Sequence, residues 1–96
     1  MNKRVLELYP SGRIKESFYV DEKGRKQDYF EMYYDTYSSP IMKQGYYTDG
    51  KLCGPFKTYH QNGARRLMTH FYHGKYLMNA YTWNQYGMLK DIVQIN

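Results

Sequence analysis

Three glycines constrain this chain more than any other feature. Gly24, Gly50 and Gly74 are each preceded closely by an aromatic pair, Phe18-Tyr19, Tyr46-Tyr47 and Phe71-Tyr72, and followed at once by a base, Arg25, Lys51 and Lys75. Six residues beyond each glycine stand Phe30, Phe56 and Ala80, and nine beyond stand Tyr33, Tyr59 and Trp83, so the units are spaced by 26 and then 24 residues. A second series of turns shares the period: Pro10-Ser11-Gly12, Gln61-Asn62-Gly63 and Gln85-Tyr86-Gly87, with Ser38-Ser39-Pro40 in the slot after Tyr34. Repetition at this length predicts stacked supersecondary units, none of which can bury its apolar face alone.

The unit itself reads as a β-hairpin. Asp49-Gly50 supplies the positive backbone angles of a two-residue turn between strands, and tyrosine and phenylalanine suit the pleated surface on either side. Asn62-Gly63 gives the same signal between KTYHQ and ARRLMTHFY. Gly12, Gly24, Gly50, Gly63, Gly74 and Gly87 are therefore the expected turn glycines. Pro55 has no amide donor and belongs at a strand start or an edge.

An aromatic, two residues, Asn-Gly, about seven residues, an aromatic pair and Gly-Lys leading to a further glycine and aromatic make a pattern that resembles the MORN repeat. The variant it is most similar to occurs in bacterial proteins of the YwqK antitoxin type. The resemblance covers residues 8–89 and is closest over 46–63; unit one carries Asp28 where the second glycine belongs, and unit three has Met78 there and Ala80 for the aromatic. It implies an elongated, twisted antiparallel sheet curled into a trough with aromatic side chains inside, and a protein that acts by covering a partner.

Strand composition between the turns predicts about seven or eight strands, at 3–9, 13–20, 28–34, 41–48, 54–60, 64–73, 76–83 and 88–95, and no helix. The expected fold is all-β, a single-layer curled antiparallel meander of repeated hairpins. It forms one domain over 1–96, with units near 8–32, 33–57 and 58–81 and a partial unit 82–96. Both faces of the strands carry large side chains, so a single layer must curl, pair with a second copy or keep one face for a partner. Phe30, Tyr33, Phe56, Tyr59 and Trp83 are the expected ladder that joins neighbouring units. Val5, Leu6 and Leu8 at one end and Ile92, Val93 and Ile95 at the other are the expected capping strands.

Little in the sequence points to catalysis. His70 and His73, three apart in one expected strand, fall on opposite faces and cannot share a metal. Glu16, Glu22, Glu31 and Asp35 carry no motif and read as solvated surface. The serines have no nucleophile-elbow context, and no glycine loop cradles a phosphate. The expectation is a noncatalytic protein with no cofactor and no metal. Cys53 is the single cysteine; it reads as a small packing residue in a reduced, cytoplasmic protein. No segment reads as a signal peptide or a membrane span.

Charge is distributed unevenly. The net charge of +5 divides into +1 over residues 1–48 and +4 over 49–96, and no Asp or Glu lies between Gly50 and Lys90. Such a field attracts anionic partners. The candidate partner-binding residues are Tyr37, Tyr46, Lys51, Arg65, Arg66, Tyr72 and Lys75, with Tyr29 and Tyr34 also expected to be exposed. The preferred reading is a protein-interaction module, of antitoxin or immunity type, whose partner presents an acidic surface. Nucleic-acid binding through the basic, tyrosine-rich second half is the alternative, anionic lipid comes third, and a homodimer stays open.

Overall fold

The computed structural model describes residues 1–76 and 79–93. They form ten strands: β1 (Lys3–Leu8), β2 (Ile14–Val20), β3 (Lys26–Tyr33), β4 (Ile41–Thr48), β5 (Lys51–Leu52), β6 (Gly54–Tyr59), β7 (Arg65–Tyr72), β8 (Lys75–Tyr76), β9 (Ala80–Trp83) and β10 (Leu89–Val93). All pair antiparallel in one sheet of order β1-β2-β3-β4-β6-β7-β9-β10, with β5 added beside β4 and β8 beside β7. The sheet is a thin slab, 40 × 36 × 16 Å, with no second layer among the described residues. The expected all-β meander is thus present. The short strands β5 and β8 are additions, and the expected strand at 76–83 is interrupted. Met78 and Ile95 lie outside the described residues.

Two rows of turns hold the hairpins in register. In one row Asp49 and Gly50 both take positive φ, 51° and 82°, as do His73 and Gly74, 49° and 82°, which makes both two-residue turns of the mirror-image type that matches strand twist. Each is pinned to the hairpin before it: the Gly50 amide donates to the Lys26 carbonyl and the Gly74 amide to the Leu52 carbonyl, both at 2.8 Å. In the other row, Tyr9, Tyr34 and His60 reach one unit ahead. The Tyr9 hydroxyl donates to the Tyr33 carbonyl and the Tyr34 hydroxyl to the Tyr59 carbonyl, both at 2.6 Å, and the His60 Nε2 lies 2.8 Å from the Trp83 carbonyl. Since a carbonyl oxygen only accepts, that nitrogen carries the hydrogen.

Asn62-Gly63 departs from the expected two-residue turn. Only Gly63 has positive φ, its amide donates to the His60 carbonyl (2.9 Å), and the His60 amide donates to Ala64 (2.7 Å), so the loop has three residues, 61–63. The cause is Asn62: its Oδ1 accepts from the Ala64 amide while its Nδ2 donates to the Gln85 carbonyl of the next turn, at 3.0 and 2.7 Å. A type I turn ending in a left-handed glycine leaves both groups of that side chain satisfied.

The repeat also explains an unusual backbone. Asp28, within β3, has φ 64°, and Gly54, 26 residues on, has φ 98°. The second glycine of the pattern marks a left-handed position, and Asp28 occupies it at the strain an aspartate tolerates better than most residues.

One face of the sheet carries all four phenylalanines. Phe18, Phe30 and Phe71 are buried, with Phe30 only 2% exposed. Ring centroids lie 4.7 Å apart for Phe30 and Tyr47, 6.4 Å for Phe30 and Phe56, and 5.2 Å for Phe56 and Phe71. Burying a phenylalanine to the extent of Phe30 contributes about 3 kcal/mol relative to leaving it in water. Glu16, expected at the surface, is buried on this face and pairs with Lys26 at 3.4 Å, while Lys26 Nζ sits 4.6 Å from the Phe18 ring centroid and 5.2 Å from that of Tyr47. A carboxylate two residues from Phe18 points to the same face, and the lysine supplies its counter-charge there.

The end strands differ from the expected caps. β1 and β10 do bound the sheet, but Leu6, Leu8 and Ile92 remain exposed. Among the described residues no further strand pairs with either end.

Candidate functional site

The opposite face belongs to tyrosine. In β3, β6 and β9 the side chains one residue from the phenylalanine-face positions turn outward, which places Tyr29, Tyr33, Tyr59, Tyr81 and Trp83 together with Tyr46 of β4. The expected ladder therefore divides: Phe30 and Phe56 lie on the core face, Tyr33, Tyr59 and Trp83 on the other. Offsets of six and nine from the turn glycine differ by an odd number, so no regular strand could put them on one side.

Across the tyrosine face, paired residues make a row through the whole sheet: Glu31 beside Gln44, Gln44 beside Lys57, Lys57 beside Met68, Met68 beside Tyr81. Gln44 is the hinge of a hydrogen-bond chain. Its Nε2 donates to the Tyr29 hydroxyl and its Oε1 accepts from the Tyr59 hydroxyl, both at 2.6 Å, while the Tyr33 hydroxyl donates to Glu31 at 2.9 Å. Burial, reinforced by the charge of Glu31 and opposed by the Gln44 amide, pushes the Tyr29 phenol up to about 12. Burial and Glu31 also raise Tyr33. These phenols stay neutral at physiological pH and serve as donors and flat apolar surface.

Two depressions lie on this face. One, of about 150 Å³, is lined by Tyr29, Gln44, Tyr46, Pro55 and Lys57; the other, of about 330 Å³, by Pro55, Lys57, Met68, His70, Asn79 and Tyr81. Pro55 and Lys57 line both, so the two lie side by side and form one grooved strip across the strands. Tyr46, Pro55, His70 and Tyr81 are exposed along it.

The seven sequence candidates do not converge on one place. Tyr46 lines the groove, 44% exposed, with its ring 5.4 Å from that of Tyr29. Lys51, Tyr72 and Lys75 gather by the two-residue turns, exposed, with the Tyr72 ring 4.2 Å from that of His73. Tyr37 stands at the tip of the longer 35–39 loop, 96% exposed. Arg65 lays its guanidinium 4.6 Å from the Trp83 ring centroid, and Arg66 lines a separate cleft. Tyr29 and Tyr34, expected to be exposed, are half-buried because each hydroxyl is held by a hydrogen bond. His73 falls in a turn beyond β7 and not in the strand.

Pro55, Lys57, Met68, His70 and Tyr81 were missed as groove residues. Their signal in the sequence is parity, an odd offset from the nearest core residue of their own strand. Among the described residues, no group of three or more His, Cys, Asp or Glu side chains could hold a metal ion, and no helix is long and apolar enough to cross a membrane. Compared with family models, with curated proteins and with solved structures, the chain matches none.

Proposed function

We propose that this chain is a noncatalytic protein-interaction module that binds its partner on the tyrosine face. The observation that carries this reading is the groove from Tyr29 and Tyr46 past Pro55 and Lys57 to His70 and Tyr81, on a single-layer sheet whose tyrosine face has no covering layer among the described residues. Half-exposed tyrosines with hydroxyls already fixed present rigid area at low entropic cost. A 40 × 36 Å slab is broad enough for a standard interface, about 800 Å² on each partner. Lys57 and His70 in the groove favour a partner surface that is acidic at that point. The resemblance to MORN repeats of the YwqK type supports an antitoxin or immunity role, in which covering the partner is the whole of the action. The lone, half-buried Cys53 is consistent with a reduced cytoplasm.

Single-stranded nucleic acid is the second reading, favoured by the absence of carboxylates from Gly50 to Lys90 beside the exposed Tyr72, Tyr81 and Tyr86. The two part in one experiment: affinity capture from the native cell with the wild type and with the Tyr46→Ala, Tyr81→Ala double variant, each before and after nuclease treatment. A protein retained after nuclease by the wild type and lost with the variant supports the module. Loss of every partner on nuclease treatment transfers the function to nucleic acid.

A further inference from the structure

One irregularity recurs in four strand pairs. Glu7 pairs with Glu16 and Leu8 with Ile14, which leaves Lys15 without a partner; the same skip leaves Met42 in β4, Arg66 in β7 and Lys90 in β10. Each is a β-bulge, and a bulge redirects the side chain it carries. Lys15, Arg66 and Lys90 each stand three residues after a turn glycine, Gly12, Gly63 or Gly87. Three hairpins therefore place a bulged cation at one repeat position; Met42 takes that position where the turn is longer, and after Gly24 the equivalent Gln27 stays paired with Tyr19.

Arg66 and Lys90 belong to adjacent hairpins and flank a cleft of about 520 Å³, within the range of small-molecule sites. The cleft shares no lining residue with the groove on the tyrosine face. No carboxylate lines it, and neither cation has an ion-pair partner among the described residues. The neighbouring acid, Asp91, turns its carboxylate to the Ile92 amide at 2.8 Å. Arg65 is already engaged with Trp83, so the charge in the cleft is that of Arg66 and Lys90.

We propose that this cleft binds a phosphate monoester of a small ring-bearing molecule, of the nucleoside monophosphate class. Two like charges facing one cleft repel until a dianion lies between them. The arginine fork grips two phosphate oxygens while the lysine acts as a point charge. Asn84 lines the same cleft: its Oδ1 is occupied by the Tyr86 and Met88 amides at 2.9 and 3.1 Å, which leaves its Nδ2 as a donor for the ligand. Tyr86, 76% exposed at the turn, offers a ring face, and Leu67 offers apolar surface for the ligand body.

Trp83, the only tryptophan in the chain, also lines the cleft and reports on it by fluorescence. The full chain is titrated with AMP, with inorganic phosphate, with adenosine and with a ten-nucleotide oligo(dT). The expected result is saturable AMP binding with a Kd below about 1 mM, competition by phosphate, and no response to adenosine. Arg66→Gln with Lys90→Gln weakens AMP by about tenfold or more while circular dichroism and melting temperature hold; should the pair unfold, Lys90→Gln alone near the chain end gives the same direction. Lys15→Gln, the equivalent bulge outside this cleft, leaves AMP binding unchanged. The proposal is overturned by an absence of saturable AMP binding, by an equal loss with Lys15→Gln, or by oligo(dT) binding that AMP does not displace.

Discussion

Phe30 and Gly45 are cross-strand partners, and the Phe30 ring lies so close over the glycine that a Cβ there would stand 3.0 Å from its Cε1. The same Cβ would meet Phe56 Cδ1 at 3.1 Å. Gly45 is needed for the space it leaves and not for a left-handed backbone. Phe30 cannot yield readily, because it is packed between Tyr47 and Phe56. Gly45→Ala should therefore lower stability by about 1–3 kcal/mol through overpacking, read as a drop in the urea midpoint. An unchanged midpoint would mean that the ring ladder can shift without cost.

Gly63 tests the opposite case. Nothing lies within 4 Å of a Cβ built there, so its φ of 91° alone sets the cost of substitution. Gly63→Val should destabilise by more than about 1 kcal/mol, because a β-branched residue resists positive φ. A melting temperature equal to that of the wild type would show that the 61–63 loop rearranges freely.

Alkaline pH should loosen the fold through Tyr29. Its folded phenol is pushed up to about 12, above the ordinary value near 10, so between the two the unfolded chain loses the proton first. The stability this residue contributes is complete below about pH 10 and declines from there towards 12. Tyr29→Phe should flatten that decline in urea midpoints measured from pH 8 to 11.5; Tyr33 and Tyr47, also raised by burial, leave a residual slope. An alkaline limb identical in the variant would remove Tyr29 from the account.

The groove makes a kinetic prediction once a partner is in hand. Tyr46→Ala with Tyr81→Ala should quicken dissociation several-fold with little dependence on salt, as expected of desolvated anchors. Lys57→Glu should instead slow association, with an effect that shrinks as salt rises. Surface plasmon resonance at two ionic strengths separates the two, and unaltered rates in folded variants would move the interface off the tyrosine face.

Local chemistry in the sequence determined the repeat, the two rows of turns and the antiparallel order, because turn glycines, an Asp-Gly step and aromatic strands act over a few residues and recur at a fixed spacing. Asp28 could even be aligned with Gly54, although that both are left-handed appears only in the backbone. What required the tertiary structure is everything that depends on which residues meet across strands. The register places Gly45 under Phe30, buries Glu16 against Lys26, ties Tyr29 and Tyr59 to one glutamine, and sets the bulged Arg66 and Lys90 on either side of one cleft. A one-residue skip between paired strands leaves no mark on composition or spacing. Yet it decides the direction of a side chain, and so whether a tyrosine is surface or support and whether two cations share a site.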